Sequence, residues 1–600
     1  MTLPHAAPIS TVPLDRRKLL RGVAALGGTA AFAPWFPAWA QPVSAGIVRP
    51  PTVLSGTDIH LRIAHQTLSV DGKPRHAIGL NGTVPGPLLR LREGQAVRLH
   101  VENALDEDSS IHWHGLLLPA HMDGVPGVSF PGIAPRSTFV YEFPVRQAGT
   151  YWYHSHSGLQ EQMGHYGPIV IDPAGADPIR SDREHVVVLS DHSPLHPHAI
   201  FRRLKLQGGY FNRQKQTLAD QLRGEGQSAA ERFAWGAMRM DPTDISDVTG
   251  AAYTYLVNGH GPADNWTALF TPGERVRLRL VNASAMTTFN LRIPGLAMTV
   301  VQADGQDVRP VTVDELQIAI AETYDVIVTP AEDRAYTLVG ESVDRSGMAR
   351  ATLAPRAGVV APVPPLRPRP TATMADMGMG DMGGMAHGGD ACTAEHAAMG
   401  HCTPAADGAP HGAAMDHGMR DFANAPEVKR TPVVQSISPM PADRTGEPGQ
   451  GLADAGHRVL VYRDLVAARR NPDVRAPARA MRIHLTGNME RYMWAFDGKT
   501  LNAVTAPIPF RQDERVRITL VNDTMMGHPI HLHGHFFELV TGHGDHAPRK
   551  HTVQVQPGGM VTFDVTMDAP GDWAFHCHML YHMHAGMMQV VTVRPAGDAA

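Results

Sequence analysis

A threefold internal repeat is the feature that most restricts how this 600-residue chain can fold. Its copies run from Glu93 to Asn103, from Gly273 to Asn282 and from Asp513 to Asn522. Each copy alternates apolar and polar residues and then stops at asparagine, which is typical of a half-buried strand followed by a turn. Three such copies, set among many Gly and Pro residues without a long helical period, predict an all-β chain of three β-sandwich domains.

Alignment of the copies on their final asparagine separates the two outer domains from the middle one. Nine and eleven residues after this asparagine, the outer copies carry His-X-His pairs, His112 and His114 in the first and His531 and His533 in the third. The middle copy has Leu291 and Ile293 at these positions. We therefore expect metal chemistry in the outer domains and a spacer role for the middle one.

A second pair of histidines lies near the end of each outer domain. The first domain has His154 and His156, and the third has His576 and His578. Side chains two apart on a strand point the same way, so one pair reaches two neighbouring metals. Eight imidazoles at a shared interface suit three copper ions, two with three imidazoles each and one with two imidazoles plus solvent. Imidazole alone does not distinguish copper from zinc or iron.

Cys577 is the residue that selects copper. It stands between His576 and His578, with His582 and Met587 further along, and His528 is a candidate second imidazole. A thiolate, two imidazoles and a weak thioether are the ligands of a blue-copper site. Because side chains alternate along a strand, Cys577 binds one copper while its neighbours bind others behind it. In the first domain Ser155 takes the place of this cysteine.

Four motifs of the chain resemble the four copper-binding signatures of the multicopper oxidases. They are His-Trp-His-Gly, Tyr-His-Ser-His, His-Pro-Ile-His-Leu-His and His-Cys-His…His…Gly-Met. Within this family the chain resembles the periplasmic copper-resistance (CopA/PcoA) branch. The resemblance implies three cupredoxin-like Greek-key domains and four copper ions. It implies a type 1 copper at His528, Cys577, His582 and axial Met587, and a type 2 copper at His112 and His531. The type 3 pair would use His114, His154, His156, His533, His576 and His578.

The activity implied by this resemblance is one-electron oxidation of a reductant, coupled to four-electron reduction of O₂ to water. We expect Cys577, His576 and His578 to carry the electrons, and Asp123 to act as proton donor. Methionine richness near the type 1 motifs favours Cu(I) as the reductant. The alternatives are a broad-specificity phenol laccase and a copper-sequestering binding protein with incidental oxidase activity.

A change of composition marks residues 356–430 as a mobile linker between the second and third domains. Within it, residues 374–419 are rich in Met and His on a Gly/Ala background that cannot bury a core. Soft thioether ligands favour Cu(I), so we interpret this stretch as a copper-capture segment. Cys392 and Cys402 either bind copper or pair as a disulfide.

Residues 1–40 predict a twin-arginine export signal, with Arg16 and Arg17 before a short apolar run and a small-X-small cleavage pattern at Ala38-Trp39-Ala40. The expected location is the periplasm, with the twin-arginine export machinery as a partner. A net charge of −5 without a basic run indicates no nucleic-acid partner, and no apolar run reaches membrane-spanning length. The predicted domains are residues 46–173, 174–355 and 431–600.

Overall fold

The computed structural model describes residues 44, 46–224, 226–237, 240–379, 420–425 and 427–595. This part of the chain contains 32 strands and only short helices. The prediction of an all-β chain of cupredoxin-like sandwiches is therefore confirmed. The predicted export signal lies outside the described residues, as do residues 380–419 of the methionine- and histidine-rich stretch, including Cys392 and Cys402.

The first sandwich contains nine strands. They are β1 (Val53–Ser55), β2 (Asp58–Val70), β3 (Lys73–Leu80), β4 (Leu88–Arg92), β5 (Ala96–Asn103), β6 (His112–His114), β7 (Thr138–Pro144), β8 (Gly149–His154) and β9 (Tyr166–Asp172). One sheet has the order β3-β2-β5-β7 and the other β1-β4-β9-β8-β6. Residues from both sheets, among them Leu61, Leu99 and Trp113, meet in one buried apolar core.

The second sandwich contains eleven strands. They are β10 (Arg183–His192), β11 (Thr254–Val257), β12 (Trp266–Leu269), β13 (Val276–Asn282), β14 (Phe289–Arg292), β15 (Met298–Ala303), β16 (Gln306–Val313), β17 (Glu315–Ile318), β18 (Thr323–Val328), β19 (Tyr336–Ser342) and β20 (Met348–Ala354). The sheet orders are β11-β10-β13-β18-β15-β16 and β12-β20-β19-β14-β17. Its core is continuous with that of the third sandwich.

The third sandwich contains twelve strands. They are β21 (Ala442–Asp443), β22 (Arg479–Asn488), β23 (Met493–Phe496), β24 (Ile508–Arg511), β25 (Arg515–Asn522), β26 (His528–Leu532), β27 (Phe537–Leu539), β28 (Arg549–Lys550), β29 (Thr552–Val555), β30 (Gly559–Thr566), β31 (Gly571–Cys577) and β32 (Met588–Arg594). One sheet has the order β23-β22-β25-β30-β27-β28, with β21 added beside β30, and the other β24-β32-β31-β26-β29.

The helices are short and connect strands. The α-helices are α1 (Pro197–Leu206), α2 (Leu218–Leu222), α3 (Ala229–Ala237) and α4 (Leu580–His584). Single 3₁₀ turns lie at Ala120–Met122, Glu161–Met163, Gly208–Phe211, Ala375–Met377, Tyr462–Asp464, Leu501–Ala503 and Gly544–His546. Among the described residues, no helix combines the length and the apolar character that crossing a bilayer requires.

The asparagine that ends each repeat forms hydrogen bonds with the turn that follows its strand. Asn103, Asn282 and Asn522 are the last residues of β5, β13 and β25, and all three side chains are fully buried. The Asn522 amide donates to the carbonyl of Met526 at 2.7 Å, and its oxygen accepts from the Thr524 amide at 3.0 Å. In the outer sandwiches the next strand, β6 or β26, carries histidines of the first pair.

Residues 356–379 of the predicted linker pack against the sandwiches. Arg367 forms ion pairs with the buried carboxylates of Glu315 and Glu341, at 2.7 and 2.6 Å. Asp376 accepts from Arg444 at 2.8 Å. The composition did not predict these contacts, because they depend on single arginines that meet carboxylates brought close by the fold.

Candidate metal centres

One candidate centre surrounds Cys577 at the end of β31. Its Sγ lies 3.6 Å from His528 Nδ1 and 3.9 Å from His582 Nδ1, and the two imidazole nitrogens are 3.2 Å apart. His528 begins β26, and His582 lies on α4, the single helical turn that follows the strand. Met587 is fully buried, and its carbonyl accepts from the Cys577 amide at 3.1 Å. The structure thus brings a thiol and two imidazoles within reach of one ion.

The second candidate centre is a cluster of eight imidazoles at the junction of the first and third sandwiches. Three groups within it have ligand atoms within 4.8 Å of one another: His112, His114 and His531; His112, His156 and His533; and His114, His154 and His578. The eighth imidazole of the cluster is His576, whose Nε2 lies 3.0 Å from His533 Nε2. All the predicted histidines of the four pairs therefore lie in this cluster.

Strand pairing explains how eight side chains converge. In the first sandwich β6 pairs antiparallel with β8, which sets His112 opposite His154, while Trp113 between the histidines points into the apolar core. In the third sandwich β26 pairs with β31, which sets His531 opposite His576. The alternation of side chains places Cys577 opposite Ile530, on the other face of the strand.

Burial favours the neutral form of seven of the clustered imidazoles. Burial is the main cause that lowers six of their pKa values well below the usual value, and neighbouring imidazoles add to the effect. These six are His114, His154, His156, His531, His533 and His578. The pKa of His576 falls to about 4 for the same first reason. Burial also raises the pKa of the Cys577 thiol. Neutral imidazoles have the free lone pair that a metal ion requires.

Several nitrogens of the cluster are free to bind a metal ion. Six buried ring nitrogens have no hydrogen-bond partner: His112 Nε2, His114 Nδ1, His154 Nε2, His156 Nε2, His531 Nε2 and His578 Nε2. Buried polar atoms are rarely left unpaired, so a set of six in one cluster fits a bound metal ion. At the other centre, a thiol beside two imidazole Nδ1 atoms and a buried methionine is the donor set of a blue-copper site.

Asp123 lies between imidazoles from two sandwiches. One carboxylate oxygen is 2.8 Å from His533 Nδ1, and the other is 3.3 Å from His112 Nδ1. The Asp123 backbone carbonyl accepts from His112 Nδ1 at 2.8 Å. The side chain is 1% exposed, so the carboxyl group belongs to the centre itself rather than to a surface turn.

Three residues that hold candidate ligands were missed from the sequence. Glu161 is 2.7 Å from His154 Nδ1, the Thr524 hydroxyl is 2.8 Å from His528 Nε2, and Asp247 of the second sandwich is 2.7 Å from His582 Nε2. Such partners fix the orientation of a ligating imidazole. The sequence held a local signal for two of these partners, because Thr524 lies four residues before His528 and Glu161 lies five residues after His156. Asp247 has no such signal.

Comparison with known proteins defines the class. Family models described as multicopper oxidase match residues 62–176, 212–357 and 475–597. The chain therefore belongs to the multicopper oxidase family, and the resemblance found in its motifs is confirmed. It is a copper-dependent oxidoreductase, because members of this family bind type 1, type 2 and type 3 copper.

Individual relatives cover nearly the whole chain. It is 48% identical over 600 residues to a copper resistance protein A homolog of Pseudomonas syringae pv. tomato, covering 96% of this chain and 99% of the relative. It is 46% identical to copper resistance protein A of Escherichia coli, with the same coverage of both chains. A laccase from Botrytis aclada has the same fold, with a TM-score of 0.59 and 21% identity over 91% of this chain and 88% of the laccase.

Proposed function

We propose that this enzyme oxidises Cu(I) with O₂ in the periplasm and thereby serves copper resistance. Its relatives at 46% and 48% identity are named copper resistance proteins, and the family membership accounts for the use of O₂. The observation that carries the choice of substrate is a cavity beside the Cys577 centre, lined by soft ligands.

This cavity has a volume of about 390 Å³ and lies between the second and third sandwiches. Its lining includes three methionines, three acidic residues and one lysine, which are Met240, Met489, Met525, Asp241, Asp244, Glu490 and Lys215. Thr524 also lines it, and the hydroxyl of Thr524 contacts His528 Nε2 at 2.8 Å. Thioethers prefer Cu(I) over harder cations, so the cavity suits a cuprous ion one side chain away from a type 1 ligand.

The proposed copper ligands follow the geometry of the two centres. His528, Cys577, His582 and Met587 would hold type 1 copper. His112 and His531 would hold type 2 copper, and the type 3 pair would be held by His114, His154 and His578 on one side and by His156, His533 and His576 on the other. Copper in these sites supplies one-electron transfer at the thiolate and the four electrons that reduce O₂ to water.

The chain itself connects the two centres. Cys577 and its neighbours His576 and His578 are consecutive residues, so a few covalent bonds separate the thiolate from two imidazoles of the cluster. Burial of Cys577 and of the surrounding imidazoles excludes water from this path. Asp123, in contact with both His533 and His112, is proposed to hold the proton that O₂ reduction consumes.

The substrate is tested by removing sulfur from the cavity without changing its volume. Met240 and Met489 are replaced together by leucine, because Met→Leu conserves volume and removes only the soft ligand. Met525 is kept, since it is 3% exposed and packs in the core. We expect O₂ uptake with Cu(I) to fall about tenfold or more, and uptake with a simple phenol to stay unchanged.

The matched control is Met481→Leu, the same change outside the cavity. A phenol laccase would lose neither activity in the double variant, and equal rates with Cu(I) in all three proteins would contradict a cuprous substrate. A sequestering protein would bind many copper ions without O₂ uptake.

Replacement of residues 380–419 by a Gly/Ser linker tests the proposed capture segment, because Cu(I) turnover should then fall while phenol turnover remains.

The location and the domain plan are parts of the same proposal. Residues 1–40 serve as a twin-arginine signal, which exports folded proteins and so suits an enzyme with a preassembled metal site. The mature domains are 46–173, 174–355 and 431–600, and the linker 356–430 connects the second to the third. Export of a reporter fused to residues 1–45, and its loss when Arg16 and Arg17 are changed to lysine, tests the signal.

A further inference from the structure

A group of metal-binding side chains lies outside both copper centres, on the solvent face of the first sandwich. Asp58 and His60 are on β2, and His100 is on β5. The two strands are parallel neighbours, and His60 and His100 are directly paired in register. Because Ile59 and Leu61 point into the core, Asp58 and His60 point outwards, on the same face as His100.

The three side chains converge on one point. The rings of His60 and His100 are stacked, with centroids 4.5 Å apart and planes 14° apart. One oxygen of Asp58 lies 3.0 Å from His100 Nε2 and 3.5 Å from His60 Nε2. Two ligands about 2.0–2.1 Å from one ion at the tetrahedral angle are about 3.3 Å apart, so these spacings match a shared cation.

The hydrogen bonds of the described residues leave one nitrogen of this group without a partner. His100 Nε2 is covered from solvent and has no hydrogen-bond partner, although the Asp58 oxygen is close. The arginines on the same face are engaged elsewhere, Arg98 with Glu142 at 3.5 Å and Arg62 with Glu102 at 3.1 Å. Asp58 is therefore left facing two imidazoles, and a cation between them would satisfy all three groups.

We propose that Asp58, His60 and His100 form a surface site for a borderline divalent cation, with Cu²⁺ as the preferred ion. Two imidazoles and a carboxylate bind Cu²⁺ more tightly than other first-row divalent ions, and the absence of a sulfur ligand disfavours Cu(I). The His60 side chain is 78% exposed, so the site is open to solvent and water completes the coordination. Binding is accordingly reversible.

A nearby histidine pair supplies the matched control. His65 and His76 lie on β2 and β3 of the same sheet, with His65 Nδ1 3.1 Å from His76 Nε2. The described residues include no carboxylate within ion-pairing distance of this pair. It therefore tests whether paired surface imidazoles alone bind Cu²⁺ as well as the group that includes Asp58.

The experiment is a calorimetric titration of the full-length, copper-loaded enzyme with Cu²⁺ alone. His60→Gln and His100→Gln should each lose one equivalent of bound Cu²⁺, and His65→Gln should keep it. Asp58→Asn should weaken this equivalent at least about tenfold. The proposal is overturned when His60→Gln and His100→Gln bind as many equivalents as the unaltered enzyme, or when His65→Gln loses the same equivalent.

A second measurement needs no variant. Carbethoxylation of histidines, followed by mass spectrometry, should show that Cu²⁺ protects His60 and His100 in the unaltered enzyme. His121 is exposed and lies outside the group, so its reaction should be unchanged. Equal modification of His60 with and without Cu²⁺ would overturn the site. Neither measurement depends on turnover, so the result is separate from the question of the oxidised substrate.

Discussion

His582 Nε2 lies 2.7 Å from Asp247 Oδ2, which joins the second sandwich to an imidazole beside Cys577. The other nitrogen of this ring, Nδ1, faces the thiol, and the ring stacks on Trp494 with centroids 3.9 Å apart. The Tyr492 hydroxyl donates to the same Asp247 oxygen at 2.7 Å. The described part of the middle sandwich thus supplies no imidazole to the centre but fixes the orientation of one.

Asp247→Asn should weaken copper binding at the Cys577 centre about tenfold and raise its reduction potential. A neutral amide accepts the hydrogen bond of His582 but donates less electron density to the ring than a carboxylate does. Equilibrium dialysis and a redox titration of the visible absorption measure the two effects. Asp344→Asn changes another buried carboxyl of the second sandwich, outside the cavity and not in contact with His582, and as the control it should leave the absorption and the potential unchanged.

Asp123→Asn should slow the reaction of the fully reduced enzyme with O₂ by about 100-fold, while the visible absorption of the oxidised enzyme is kept. The amide still accepts from His533 Nδ1, so the imidazoles stay in place, but it has no proton to give. Stopped-flow mixing of reduced enzyme with O₂ measures the rate. Asp106→Asn, an exposed carboxylate paired with Arg136, controls for the lost charge. An unchanged rate in Asp123→Asn would exclude it as the proton donor.

The parts of the centres that the sequence predicted are those encoded at short range. Alternation along a strand places His112 and His114 on one face and separates Cys577 from His576, and neither result depends on the rest of the chain. The three repeats indicated the sandwiches for the same reason. The meeting of β6 and β26 at one cluster could be predicted only from the chemistry, because eight imidazoles need a shared set of metals.

The residues that orient the ligands could not be predicted in the same way. Asp247 is 335 positions from His582, and its neighbours in the sequence form no metal motif. Thr552 contacts both His114 and His531 from a strand that carries no histidine pair. Such contacts depend on how sandwiches pack, which composition and periodicity do not specify.

Cys577→Ser should abolish the intense visible absorption of the enzyme and stop turnover with every reductant, while the fold remains. The side chain is fully buried and serine is slightly smaller, so the packing change is small. Serine already stands at the matching position of the first sandwich, where the Ser155 hydroxyl donates to Gln160 at 3.0 Å. Absorption spectra and circular dichroism of the copper-loaded variant measure both points. Persistence of the blue colour would show that another residue supplies the thiolate-type absorption.

His112→Ala should have the opposite signature, with the blue colour kept and O₂ reduction lost. His112 contributes to two of the imidazole groups, but it does not contact the Cys577 set. Copper analysis should show about one ion fewer than in the unaltered enzyme, because the type 2 site would retain only His531. Normal O₂ uptake with His112→Ala would mean that this histidine is not a required ligand.

Lys550→Met should destabilise the protein by about 3–5 kcal/mol, because it leaves two buried carboxylates without a counter-charge. The Lys550 ammonium, on the third sandwich, lies 3.1 Å from both Asp304 and Glu322 of the second, and all three side chains are at most 1% exposed. Urea unfolding of the variant and of Lys499→Met, a change at an exposed lysine, measures the difference.

The loss of stability caused by Lys550→Met should also depend on pH. Burial alone would raise the pKa of the Asp304 carboxyl, and the Lys550 ammonium lowers it. Without the ammonium, the pKa of Asp304 in the folded variant rises above its value in the unfolded chain, so the protonated form favours folding. Stability relative to the unaltered protein is then recovered as the pH falls through this raised pKa and lost as the pH rises. The urea midpoint of the variant should therefore lie closer to that of the unaltered protein at pH 5 than at pH 8. A deficit that is equal at both pH values would mean that lost packing of the lysine chain, rather than unpaired charge, causes the destabilisation.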